Sequence, residues 1–243
     1  MNLTTGLIGD QAASPASAAS PPSGVGNGHA AGAVPEFDDA FRARLMQLVT
    51  WRRDVRRFRP DPLPQGAFER LIEVACLAPS VGLSQPWRFV TVEDKARREA
   101  VRKEFRTCNA EALASYAGER AARYAALKLE GLREAPHQFA VFCDRTTPVG
   151  HGLGRRTMPE MAEYSVVAAI CTLWLAARAE GIGLGWISIL DPARMTGLLE
   201  VPAEWRFIGY FCLGYPLHED DRPELERARW ERRRLAPSCV LAR

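Results

Sequence analysis

The segment Pro159–Glu180 constrains this chain more than any other. Val166, Val167, Ile170, Leu173, Trp174 and Ala177 set apolar side chains around most of a helix's circumference. A helix apolar all round has no face to offer water and must be buried. Gly181 follows it as a helix stop. No continuous apolar run reaches the roughly 20 residues of a membrane span, so burial is expected inside a globular core.

Around this helix the chain alternates between patterns. Phe41, Leu45, Leu48 and Val49 recur at helical spacing behind Asp38 and Asp39, whose charge suits a helix N-terminus. That helix is expected to run into WRRDVRRF (Trp51–Phe58) and to break at Pro60–Pro64. Phe68, Leu71, Ile72, Ala75 and Cys76 mark a second helix, stopped by Pro79. Strands are expected at Arg88–Val92, Phe139–Cys143, Leu184–Leu190 and Phe207–Leu213. Helical blocks are expected at Asp94–Arg106, from Asn109 to about Leu132, and at Pro192–Leu199, while Glu224–Arg234 is strongly charged. Helices interspersed with about four strands give α+β or α/β around one sheet.

Charge narrows the function. The 32 basic and 29 acidic side chains leave a net charge of +3, so no polyanion-binding field and no nucleic-acid partner are expected. Residues 1–35 include 22 Ala, Ser, Gly or Pro, with Asp10 as the sole charge, and read as a disordered extension. The remaining stretch, 36–243, is one domain's worth. The extension lacks the pattern of a secretory signal or a transit peptide, which points to the cytoplasm. The six cysteines show no C-x-x-C spacing and are expected as buried free thiols in a reducing compartment.

Several motifs fall away on inspection. GIGLGW (Gly181–Trp186) follows a helix and opens a strand, the reverse of a dinucleotide fingerprint, and reads as a cap feeding a strand with close backbone approach. Ser80 lacks the glycine of a nucleophile elbow. His29, His137, His151 and His218 are too scattered for a metal site. WRRDVRRF packs Arg52, Arg53, Arg56 and Arg57 around Asp54. Arginine offers a planar fork suited to phosphate, and on a helix end Arg52, Arg53 and Arg56 would share a side. The same cluster also fits a self-paired, solvated surface. PSVGLSQPW (Pro79–Trp87) supplies a hydroxyl, an amide, an indole and a glycine permitting close approach, but also reads as an ordinary turn.

Taken together, RRDVRRF, APSVGLSQPW and EGIGLGWISI resemble the flavin-binding nitroreductase superfamily. RRDVR, AGERAARYAALKLEG (Ala117–Gly131), CDRT (Cys143–Thr146), LWLAARAEG (Leu173–Gly181) and GWISI (Gly185–Ile189) narrow the match to its 5,6-dimethylbenzimidazole synthase (flavin destructase) family. The resemblance runs from about Phe41 to Arg234. It implies an α+β, three-layer fold, with a central mixed sheet flanked by helices, in a domain-exchanged homodimer with FMN at the interface.

The resemblance also implies roles. Arg52, Arg53, Val55 and Arg56 would bind the FMN phosphate and ribityl chain. Pro79, Ser80, Val81, Gly82, Leu83 and Gln85 would lie beside the flavin. Gly185, Trp186 and Ile187 would face its ring. A C-terminal arginine, among Arg227, Arg229 and Arg232 and here carried as Arg229, would return to the phosphate. Asp54 would act as general base, and Ser188 would hydrogen-bond the ring and orient the peroxide or the departing nitrogen. The insert 109–132 would be a lid excluding water. Reduced FMN would be the substrate, O2 the co-substrate, and a separate NAD(P)H-dependent flavin reductase the source of reduced FMN, with no metal. Two other readings stay open: an NAD(P)H-dependent nitroreductase or FMN reductase, and a non-catalytic FMN-binding protein. One departure touches the site, Ser84, where an apolar residue is expected.

Overall fold

A computed structural model describes residues 34–243, so the expected 1–35 extension falls almost entirely outside the described residues. In chain order the helices are α1 (Asp39–Trp51), α2 (Ala67–Ala75), α3 (Lys95–Ala114), α4 (Gly118–Ala125), α5 (Met161–Ala179), α6 (Pro192–Leu198) and α7 (Glu224–Arg227). The strands are β1 (Trp87–Thr91), β2 (His137–Asp144), β3 (Gly183–Ile187) and β4 (Trp205–Gly214). Asp38, Asp94 and Asp191 open α1, α3 and α6. Each accepts the backbone N–H three residues on, at 2.7–2.8 Å, satisfying a donor that a first turn leaves unmet.

The strands lie in the order β1-β2-β4-β3, and every neighbouring pair is antiparallel. This corrects the expected mixed sheet. No crossover sets two adjacent described strands parallel, and the one parallel pairing is an isolated bridge between Asp54 and Leu184. Alternation along β2 sends Phe139 and Val141 to one face, Ala140 and Phe142 to the other. The first face is covered by α2 and α5 through Leu71, Val166, Ile170 and Leu173. The second is covered around Val101 of α3 and Met195 of α6. These are the three layers expected. Each such fully buried side chain contributes about 1.5–3 kcal/mol.

Helix α5 buries Val166, Ile170, Leu173, Trp174 and Ala177, as its composition predicts, but Tyr164 and Cys171 are left exposed. By length and composition it also meets the requirement for a membrane span, which counting continuous apolar runs missed; its buried face packs on the sheet. Gly181 ends it at φ 72°, and Ile182 N–H returns to the Ala177 carbonyl at 2.8 Å. The six cysteines are free, but only Cys143 and Cys212 are buried; Cys171 and Cys239 are exposed.

Three boundaries differ from expectation. Helix α1 stops at Trp51, because the chain beyond it pairs with a strand. Helix α3 runs on through Asn109 to Ala114, and the chain breaks before Gly118, which sits at φ 56°. Residues 126–131 are not helical: Gln138 Nε2 donates to the Leu132 carbonyl at 2.9 Å and pulls this end onto the sheet. Strand β3 ends at Ile187, three residues short of Leu190.

Candidate active site

Segment 52–58 leaves α1 extended and lies along the open edge of β3. Val55 N–H donates to the Leu184 carbonyl at 3.0 Å. In extended chain, side chains alternate, so Asp54 and Arg56 share a side and Val55 takes the other. The helical side expected for Arg52, Arg53 and Arg56 is therefore not formed. Trp186 N–H donates to Asp54 Oδ1 at 3.0 Å, and Arg56 Nε and Nη2 donate to Oδ2 at 3.1 and 2.8 Å. Both carboxylate oxygens are held. Gly185 makes this approach possible: a Cβ there would stand 2.1 Å from the Val55 carbonyl oxygen.

The arginines divide their work. Arg52 places its guanidinium 4.9 Å from the centre of the Trp174 ring, whose Nε1–H donates to the Arg53 carbonyl at 3.1 Å. Arg56 turns its remaining edge to the Lys128 carbonyl at 3.0 Å. Arg53 Nε is buried with no partner among the described residues. Burial first, then the charges of Arg233 and Arg52, hold the Arg53 guanidinium below the usual arginine range; Asp221 and Asp220 act against them.

Arg53 opens on a cleft of about 340 Å³ that is also lined by Arg56, Arg57, His218, Arg222 and Arg227 and by the carboxylates of Asp54, Asp220 and Glu224. An unmet N–H in a cleft with five arginines against three carboxylates suits a dianionic phosphate, which supplies acceptors and offsets the excess positive charge. The residues present thus fit the phosphate of FMN. Arg57 and Arg227 are already paired, with Glu224 at 2.6 Å and Asp220 at 3.1 Å.

Of the three C-terminal candidates, Arg227 lines this cleft. Arg229 and Arg232 lie instead on an outer surface with Arg123 and Trp230. Arg229 sits at φ 57°, in a turn that carries it away, and Arg123 Nη1 donates to its carbonyl at 3.3 Å. His218, Asp220 and Arg222 were not anticipated; their only signal was a charged stretch after β4.

The 79–85 loop is elsewhere. It precedes β1, on the sheet edge opposite β3, three strand spacings or roughly 14 Å away. Val81 N–H donates to Ser165 Oγ at 3.0 Å and Gln85 N–H to Ser80 Oγ at 3.1 Å. Pro79 and Leu83 are exposed, and Gly82 lies close against the Gly150 carbonyl. Within one chain the structure brings Arg52–Arg56 to Gly185, Trp186 and Ile187, but not to this loop. Ser188 follows β3 directly and is exposed.

Helix α4, in the expected lid, packs on the C-terminal segment. Tyr116, Tyr124 and Trp230 form a ring cluster with centroids 5.0–6.0 Å apart. Arg120 lies 5.8 Å from the Trp230 ring, and Tyr124 OH donates to Asn109 Oδ1 at 2.8 Å.

Known proteins resemble this chain in sequence and fold. A sequence model of the nitroreductase family matches residues 49–215. A relative from Rhodospirillum rubrum named 5,6-dimethylbenzimidazole synthase is 58% identical over 203 residues, 84% of this chain and 96% of its own length. Another of that name, from Rhodobacter capsulatus, is 47% identical over 195 residues, 80% of this chain and 94% of that one. The solved structure of iodotyrosine deiodinase bound to FMN and 3-iodo-L-tyrosine superposes with a TM-score of 0.62 at 26% identity, over 72% of this chain and 91% of that one. With the family's sequence pattern, its fold and two relatives matched over nearly their whole length, the chain belongs to the nitroreductase family, on its 5,6-dimethylbenzimidazole synthase branch.

Proposed function

We propose that this chain is a 5,6-dimethylbenzimidazole synthase: an enzyme that fragments reduced FMN with O2, releasing 5,6-dimethylbenzimidazole and erythrose 4-phosphate. The observation that carries this reading is the Asp54 carboxylate, held at both oxygens beside the cleft of Arg53, in a chain whose relatives bear that name.

Reduced FMN supplies the dimethylbenzene ring with its two nitrogens, the sugar carbon that closes the imidazole, and the electrons that O2 takes up; the four remaining sugar carbons leave as erythrose 4-phosphate and the pyrimidine half of the flavin leaves separately. Arg53, with its unmet N–H, binds the phosphate, and Arg227 closes on it from the C-terminal segment. Asp54 takes the proton from the sugar carbon attached to the ring, a transfer that needs a fixed acceptor. Ser188 hydrogen-bonds the ring and orients the departing nitrogen. The 109–132 segment excludes water.

The loop 79–85 completes the site from a second copy of the chain, in a domain-exchanged homodimer. Two features support this. The loop stands at the wrong sheet edge to serve its own Asp54. Helix α1 buries no residue and leaves Leu45, Met46, Val49 and Trp51 exposed. A separate NAD(P)H-dependent flavin reductase supplies reduced FMN. The free cysteines suit a reducing, cytoplasmic setting. Residues 1–35 carry none of the proposed site and are dispensable for the chemistry.

The test is incubation with chemically reduced FMN in air, followed by mass spectrometry for 5,6-dimethylbenzimidazole. Asp54→Asn keeps the shape and removes the proton acceptor, so it binds FMN and yields no product. Plain reoxidation by the unmodified chain, or NAD(P)H consumption with a nitroaromatic in its place, overturns the reading.

A further inference from the structure

Arg56 borders the same cleft as Arg53, but its donors are already taken by other partners. Its side chain is 14% exposed and its fork is committed on two sides. Nε and Nη2 donate to Asp54 Oδ2, while Nη1 donates to the Lys128 carbonyl at 3.0 Å. One rigid, planar group thus spans from the 126–131 segment to the carboxylate. We propose that Arg56 is a positioning residue that couples the placement of this segment to the aim of Asp54. This rests on the reading of Asp54 as the proton acceptor.

The segment is anchored firmly enough to transmit its position. Gly131 lies against the Phe58 ring, where a Cβ would come within 2.4 Å. Gln138 holds the Leu132 carbonyl and accepts in turn from Tyr210 OH at 3.0 Å, inside the core. The Lys128 ammonium pairs with Glu130 and Glu134 at 3.3 and 3.2 Å, so its interactions do not compete with those of its carbonyl. With the segment in place, both Asp54 oxygens are fixed. With it displaced, Arg56 loses one of its two anchors, and Oδ2 is no longer held at a set angle. The carboxylate is then aimed only under a closed segment, so flavin bound beneath an open one meets no positioned proton acceptor.

The test compares full-length wild type with Arg56→Gln, Arg56→Lys and Asp54→Asn. Two quantities are read: amide hydrogen exchange over residues 127–135 in flavin-free protein, and the partition of reduced FMN in air between 5,6-dimethylbenzimidazole and reoxidised FMN. In Arg56→Gln, exchange at the Leu132 and Ala135 amides rises at least tenfold. FMN affinity stays within threefold, and the product fraction falls at least tenfold. Arg56→Lys keeps the charge but cannot span both acceptors, so it recovers only part of the product; it also carries the test should the Gln variant not fold. Asp54→Asn loosens the segment by a smaller factor, about threefold, because it weakens the other end of the same bridge. Unchanged exchange in the Arg56 variants overturns the proposal. So does a tenfold loss of FMN affinity with an unchanged product fraction, which makes Arg56 a phosphate ligand. If wild type forms no 5,6-dimethylbenzimidazole, the functional reading fails, and the exchange data alone decide the coupling.

Discussion

Segments 52–58 and 79–85 each carry a motif, and the chain treats them in opposite ways. The first is held on every side: Val55 to Leu184, Arg53 to Trp174, and Asp54 through both oxygens. The second is pinned by its backbone and by the inward Ser84 but presents Pro79, Leu83 and Gln85 outward. Three of its residues take left-handed backbone, Gly82 at φ 57°, Leu83 at 52° and Gln85 at 44°. Leu83 is 72% exposed. Left-handed leucine and glutamine persist only where something fixes them, and such strain gathers at functional sites. The contrast teaches that one segment is fixed by partners within the chain, while the other holds exposed side chains in a constrained backbone, as the proposed second copy would require.

The sharpest way to break this comparison is at Gly185. A Cβ there meets a backbone oxygen at 2.1 Å, and neither strand can withdraw without giving up the Val55–Leu184 bond. Gly185→Ala is expected to cost about 3 kcal/mol or more and to abolish FMN binding, read by urea unfolding and flavin titration. Gly197→Ala, in α6 with no atom within 4 Å of the new Cβ, is the control and gains up to about 1 kcal/mol. A stable Gly185→Ala that still binds FMN shows that the first segment is not locked against β3.

What the sequence makes legible follows from how local each cause is. Helix α5 is readable because its apolar residues and Gly181 lie within one segment. The Arg–Asp cluster is readable as composition, but not its shape: Asp54 pairs with Leu184, 130 residues away, and that pairing overrides the helical run from Phe41 to Val49. The break at Ser115–Ala117 depends on Trp230 receiving Tyr116 and Tyr124, again a distant partner. Choosing Arg227 over Arg229 requires the turn at Arg229, which no local pattern announces. Placing loop 79–85 requires the strand order, and Arg56's hold on Lys128 joins residues 72 apart.

A milder substitution sharpens the comparison from the other side. Leu83→Gly removes a left-handed leucine that packs little within the chain. The relief of backbone strain outweighs the greater chain entropy of glycine, giving a gain of about 0.5 kcal/mol. If the proposed homodimer sets this loop beside the flavin of a second copy, FMN affinity falls at least tenfold. Thermal melts and flavin titration on one preparation read both. A lower melting temperature makes Leu83 a structural residue and erases the difference between the two segments.

The smallest effect belongs to Ser84, in the same loop but turned inward. It is 1% exposed, and its Oγ is buried without a partner among the described residues. A buried hydroxyl with no partner has lost its water and gained nothing, so the position favours the apolar side chain that the family resemblance leads one to expect. Ser84→Ala removes that cost while opening space for a single oxygen atom. Stability is expected to rise by no more than about 1 kcal/mol, with FMN affinity unchanged within twofold. The direction matters more than the size. A fall of about 1 kcal/mol would mean that the hydroxyl is satisfied in the assembled protein, and that the loop is built from within like segment 52–58. A rise leaves Leu83 and Gln85 as the loop's working side chains and Ser84 as a tolerated defect beneath them.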